Sequence, residues 1–189
     1  MTLKEQYQKN IISELEKEFG ISNKHNVPCL SKVVVNVGLG RKSQLANFTD
    51  KLLPSITKEL SLIVGQAPSQ RLAKKSIAGF KLREGQLVGL MVTLRGNRMY
   101  EFVDKLVKIV YPRVRDFKGV DLKNVDKNGN LNLGFRENVV FPEIISDQSS
   151  VDFGLQVTLV TKAKNRDQAI SLYNKIGFLF KKPKIAKKK

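Results

Sequence analysis

Three short runs constrain what this chain can fold into: KVVVNVG at 32–38, LVGLMVTLRG at 87–96 and GLQVTLVT at 154–161. Each alternates at the period of two that an extended strand imposes, and each is too short for a helix of ordinary length. In the first, Val33, Val35 and Val37 share one face, opposite Lys32, Val34 and Asn36. In the second, Val88, Leu90, Val92 and Leu94 face away from Leu87, Gly89, Met91, Thr93 and Arg95. In the third, Leu155, Val157 and Leu159 oppose Gln156, Thr158 and Val160. Strands of this kind demand a sheet with one apolar side, and that side must be covered.

The cover is supplied by stripes at helical spacing. Leu3, Tyr7, Ile11 and Leu15 recur every four residues over 3–19, with Ile12 and Phe19 widening the stripe and Gly20 ending it. Leu45, Phe48, Leu52, Ile56, Leu60 and Ile63 form a second stripe, which Pro54 must either kink or restart. NRMYEFVDKLVKIVYP reads as a third helix, with Phe102, Leu106 and Ile109 inward and Pro112 closing it. NRDQAISLYNKIG reads as the last, with Asn165 as N-cap, Gln168 in the capping-box position and Gly177 at the end. A short strand is expected near Ser69–Leu72, and DKNGN reads as an Asn-Gly turn. The expected fold is α+β, with helices packed on one face of a sheet. At 189 residues and 41% hydrophobic, the chain suits one domain over 1–180, followed by a basic tail over 181–189.

A sheet with one polar side ordinarily faces solvent, but beside a basic loop that side could equally be a docking surface for RNA. The net formal charge is +17, yet residues 66–98 hold seven basic groups against Glu84 alone, and the last nine residues hold six and no acid. Twelve of the seventeen excess charges therefore lie in two short segments. A polyphosphate partner rewards such clustering through counterion release. An anionic membrane would want an aromatic and leucine stripe in the same segments, which they lack. No run approaches the length of a membrane span, and the charged start has no apolar region of a signal peptide. One cysteine and one histidine exclude an internal disulfide and are too few for a structural zinc site, so the compartment reads as reducing cytosol or its organellar equivalent.

Other motifs fail on inspection. VGLGRKS lacks the glycine directly before Lys-Ser that a phosphate loop needs, because Arg41 intervenes. It is either a plain strand-to-helix turn or a flexible approach of Arg41 and Lys42 to RNA phosphate. DKNGNLNLGFRE mimics a calcium loop but places Leu131 where the sharp turn requires glycine. His25 and Cys29 have no acid partner in sequence, and the carboxylates show no pairing for acid–base work. No cofactor, metal or small-molecule substrate is expected. The aromatic signature of a base-stacking RNA module is also missing, so backbone and shape recognition of a folded RNA fits best.

The run RLAKKSIAGFKLREGQLVGLMVTLRGNRMYEFVDKL closely resembles the universal large-subunit ribosomal protein five, bacterial type. VPCLSKVVVNVGLG, LIVGQAP, YPRVRDFKG, GNLNLGFRENVVFPEI and LQVTLVTKAK resemble its other blocks in the same order. The resemblance implies an antiparallel sheet with helices on one side, a long basic loop and a flexible basic C-terminal tail. It implies a cytoplasmic or organellar protein of the large ribosomal subunit that binds 5S rRNA and other large-subunit rRNA. It also implies anchoring of 5S rRNA in the central protuberance, and contact with P-site tRNA and a small-subunit head protein across a bridge.

Carried over residue by residue, the family's hydrogen bonds to 5S rRNA fall to Asn36, Gln66 and Thr93, with Arg95 beside them. The arm toward tRNA and rRNA falls to Arg71, Lys74, Lys75, Ser76, Phe80, Lys81 and Arg83. Arg41 and Lys42 stand where the family usually has small or acidic residues, which adds phosphate contacts. Gln156 replaces a frequent acid, Cys29 replaces a common lysine, and KKPKIAKKK extends past the usual end. The expected function is a non-enzymatic RNA-binding component of the large subunit. The alternatives are a free-standing RNA chaperone or translation-control protein, or an enzyme acting on RNA.

Overall fold

The computed structural model describes residues 1–45, 47–115, 117–144 and 151–181. The lysine tail after Lys181 lies outside the described residues.

The alternating runs pair as the side-chain pattern demands. Strand β1 (Leu30–Gly38) lies between β3 (Leu87–Leu94) and β5 (Leu155–Thr161). Strand β2 (Ser69–Leu72) extends the sheet beyond β3, and β4 (Leu131–Phe135) extends it beyond β5, so the order is β2-β3-β1-β5-β4. Every neighbouring pair is antiparallel. The register places Val33 opposite Leu94 and Leu159, and Val35 opposite Val92 and Val157. All six are buried. A slip of one residue would expose this whole set, so burial of the face fixes the register.

Among the described residues, four helices cover that face. Helix α1 spans residues 3–19, with a π turn at Tyr7–Ile11. It starts at a capping box in which Thr2 and Glu5 satisfy each other's backbone N–H, and it ends at Gly20 in the left-handed region. Its stripe of Leu3, Tyr7, Ile11 and Leu15 is buried as expected. Helix α2 spans 48–64, α3 spans 96–113, and α4 is Arg166–Ile176. Helix α1 is tied to α3 through Lys4 and Asn97 (2.8 Å) and to α4 through Lys175 and Glu14 (2.8 Å).

Both prolines within helical stretches follow a π turn by two residues. Pro54 comes after Phe48–Leu52, and Pro112 after Leu106–Val110. The wider turn breaks the regular ladder where the ring would meet the carbonyl four residues back. The α-helical register of α2 therefore restarts at Leu53, and α3 runs past Pro112 to Arg113 instead of closing there. The second π turn also corrects the inward face of α3. Ile109 is 45% exposed, and Val110 takes the buried place. A π turn rotates less per residue, so four steps from Leu106 reach the core and three do not. Leu45 lies outside the second stripe as well: Asn47 adopts a left-handed conformation before α2, which leaves Leu45 56% exposed. Asn165 precedes α4 in extended backbone but makes no side-chain cap. Gln168 Oε1 instead accepts from the N–H of Lys164, one residue earlier than a capping box needs.

The DKNGN turn is satisfied from within. Asp126 accepts from the backbone N–H (2.7 Å) and side-chain amide (2.8 Å) of Asn130. Slight burial opposes ionisation of Asp126, but these bonds outweigh it and hold its carboxyl below the usual range. The buried hydroxyls of Thr161 and Tyr173 donate toward the Gly129 carbonyl at 3.1 and 2.9 Å.

Gly89 is where the central ladder is least forgiving. A Cβ there would sit 2.7 Å from the backbone carbonyl oxygen of Val37 on β1. Gly89→Ala must therefore push β1 and β3 apart, at a cost of about 2–3 kcal/mol. A melting temperature lower by ~5–10 °C is the expected result of a thermal melt, and an unchanged melt contradicts the packing.

Candidate nucleic-acid interface

The other face of the sheet is open, and the register lays its side chains out in rows. One row runs Ser69, Met91, Asn36, Gln156, Gly134 across all five strands. The next runs Thr93, Val34, Thr158, Asn132, with the Thr158 hydroxyl donating to Asn132 Oδ1 at 2.8 Å. Asn36 and Gln156 are exposed, and Thr93 is half-buried. Asn36 and Thr93 thus stand on one face of adjacent strands, one register step apart. Amide and hydroxyl groups so placed offer both donors and acceptors to a docked surface.

Gln66 lies outside the sheet. It follows Gly65, the left-handed cap of α2, and its Oε1 faces Arg98 Nη1 of α3 at 3.5 Å. Arg98 is exposed and was not singled out by sequence reasoning; only its place in the basic 66–98 segment marked it. Arg95 is exposed at the residue where β3 hands over to α3.

The basic segment after β2 is a closed hairpin, held by its own backbone. Ala73 N–H donates to the Gln86 carbonyl at 2.8 Å, and Gly85 N–H to the Ala73 carbonyl at 3.0 Å. Ile77 and Leu82 bond reciprocally at the tip, around a short 3₁₀ turn at Ala78–Phe80. Lys81 adopts a left-handed conformation with φ of 51°. Ser76 serves the loop itself, its hydroxyl accepting from the Glu84 N–H at 2.9 Å. Arg71, Lys74, Lys75, Lys81 and Arg83 are all exposed. Among the described residues, ion pairs form on the helical side, as in Lys105–Glu143 and Lys175–Glu14, and these five cations form none. Phe80 is 72% exposed at the tip, which is a large apolar surface to leave in water.

The structure brings the Arg41–Lys42 turn and the basic hairpin together. Gln44 Nε2 donates to the Phe80 carbonyl at 2.8 Å, and Gln86 Nε2 to the Ser43 hydroxyl at 3.0 Å. The turn carrying Arg41 and Lys42 is therefore docked on the hairpin. Arg41 is exposed, whereas Lys42 donates to the backbone carbonyl of Asp152 and is half-buried. No periodicity in the sequence could have shown these contacts, since they join residues about forty apart. Cys29 is half-buried against the core and His25 is exposed. No described helix is long and apolar enough to cross a membrane.

Comparison with known proteins gives this surface a context. Residues 23–83 match the family model of ribosomal protein L5, and residues 87–180 match the model of the same ribosomal family's C-terminus. The large ribosomal subunit protein uL5 of Anaeromyxobacter sp. (strain Fw109-5) is 49% identical over 179 residues, covering 95% of this chain and 97% of its own length. That of Geobacter sulfurreducens is 48% identical over 179 residues, covering 95% and 98%. That of Microcystis aeruginosa is 46% identical over 179 residues, again covering 95% and 98%. The two matched segments interleave in one sheet: β1 and β2 come from the first, and β3, β4 and β5 from the second.

Proposed function

Because this chain belongs to the ribosomal protein L5 family, we propose that it is a non-catalytic structural protein of the large ribosomal subunit that holds 5S rRNA on its open sheet face. The observation that carries this reading is the polar face of Asn36 and Thr93 beside a hairpin of cations that form no ion pair among the described residues. A half-polar sheet alone would be ordinary. Set next to five such cations, it becomes a surface on which phosphates gain and bases can be read.

The work divides by chemistry. Asn36 and Thr93, with Gln66 at the end of α2, hydrogen-bond a shaped RNA loop and set its register. Arg71, Lys74, Lys75, Lys81 and Arg83 neutralise phosphates, with Arg41 and Arg95 adding to the same field. Ser76 and Lys42 act indirectly, the first by closing the hairpin and the second by fixing the neighbouring turn. Phe80 at the tip offers an apolar face to a nucleotide of tRNA or rRNA. By family analogy the same protein anchors 5S rRNA in the central protuberance, and meets P-site tRNA and a small-subunit head protein. A free-standing RNA chaperone draws no support from relatives that are subunit proteins along nearly their whole length.

Asn36→Ala and Thr93→Ala test the face. Each leaves the apolar side untouched, so the melt stays within about 0.5 kcal/mol of the parent. Each should cost ~1–3 kcal/mol of 5S rRNA affinity, because a group on the RNA loses its partner in a buried interface. Filter binding or titration calorimetry reads the result. Full affinity in both folded variants contradicts the site.

A further inference from the structure

A second surface lies at the far edge of the sheet, away from the hairpin. Between β4 and the segment after α3 is a cavity of about 180 Å³. At ~30 Å³ per water, it suits one flat ring system better than a drug-sized ligand. Its wall is aromatic. Phe117 stacks on Tyr111 with ring centroids 4.4 Å apart and planes 22° apart, and Phe135 lies 6.2 Å from Tyr111. Phe117 is only half-buried while lining the cavity, so part of its ring surface is accessible. Tyr111 also keeps a buried hydroxyl with no hydrogen-bond partner among the described residues.

The rim is polar and the surroundings are cationic. Asp121 and Asn124 line the cavity too: Asp121 Oδ1 accepts from the Lys123 N–H at 3.0 Å, which leaves its second oxygen and the Asn124 amide to meet a base edge. Lys181 lines the opening, because Val120 pairs with Phe180 and draws the end of the described chain alongside. Val114 and Phe117 line the cavity, while their chain neighbours Arg113, Arg115 and Lys118 are exposed. Gly134 borders it from the open sheet face, where an added Cβ would meet nothing within 4 Å.

We infer that this cavity takes a single unstacked nucleobase of a single-stranded RNA segment, stacked on Phe117, with its flanking phosphates on Lys181, Arg113, Arg115 and Lys118. An apolar peptide side chain would fit the volume but gives no reason for the cationic surround. A base with phosphates on both sides accounts for both.

The test is photo-crosslinking of the full chain to a single-stranded RNA hexamer carrying one 4-thiouridine, with adducts mapped by mass spectrometry. Adducts within residues 111–124 are expected. Phe117→Leu keeps apolar volume but removes the aromatic face, and should reduce them about ten-fold. Lys181→Glu, on an exposed residue, should reduce them with no change in the melt. Lys9→Glu, the same charge reversal on an exposed residue of α1, should leave them unchanged, which separates loss at this site from a general effect of charge. Absence of adducts in this segment overturns the inference, as does an undiminished yield in folded Phe117→Leu and Lys181→Glu.

Discussion

Replacing Arg71, Lys74, Lys75, Lys81 and Arg83 together by glutamine should flatten the salt dependence of 5S rRNA binding by ~3.5–4.5 units of log K against log salt. Each phosphate contact releases about 0.7–0.9 of a counterion, and the variant removes five candidate contacts at once. The loss of affinity should be largest in dilute salt, on the order of 10²-fold or more near 0.05 M, and shrink as salt rises. The fold should survive. All five side chains are exposed, and the hairpin is closed by backbone bonds and by Ser76, Gln44 and Gln86, none of which is changed. The face variants have the opposite signature: Asn36→Ala and Thr93→Ala lower affinity at every salt concentration and leave the slope alone. A five-fold variant with the parent's slope would mean that the hairpin does not touch phosphate.

Alkaline unfolding should be steep and begin near pH 10. The chain has four tyrosines, and burial pushes every one of them above the usual phenol value. Tyr100 is pushed up to about 12, and Tyr7, Tyr111 and Tyr173 are raised further. Charge on Cys29 adds to the effect at Tyr7 and Tyr100. The unfolded chain releases these protons near pH 10, whereas the folded chain keeps them. Stability is thus intact below about pH 10 and falls as pH rises, by up to ~1.4 kcal/mol per pH unit for each tyrosine still held neutral. Phenolate absorbance and far-ultraviolet circular dichroism should therefore change together. Phenolate appearing well before the helical signal is lost would contradict the burial. Tyr111→Phe is a useful control. It removes a hydroxyl that has no partner among the described residues, so it should not lower stability at neutral pH and should move the alkaline transition upward.

The strands were legible because alternation and burial are the same fact seen twice. Val33, Val35 and Val37 alternate with polar or half-exposed neighbours, and the register then follows from hiding them. Asn36 and Thr93 could be placed on the open face for that reason. Helix faces were less secure, since a stripe assumes an unbroken period. The π turn at Leu106–Val110 broke it and moved the inward place from Ile109 to Val110. Asn165 has the residue type and backbone of a cap but not the bond, a difference that residue type alone does not carry. The site's assembly was least legible. Charge counting found the hairpin, but its docking on the Arg41 turn depends on two glutamines far apart in sequence. The aromatic cavity was hidden because its basic neighbours lie in a stretch of nearly balanced charge, and the Val120–Phe180 pairing is needed to bring Lys181 to it.

The most direct test of the central claim is binding of the purified chain to 5S rRNA and to a control RNA of equal length across one salt series. A shaped polar face predicts that the two curves separate as salt rises, with 5S rRNA retained after the control has been released. Two curves that fall together would leave a basic protein without a site, and would contradict the account.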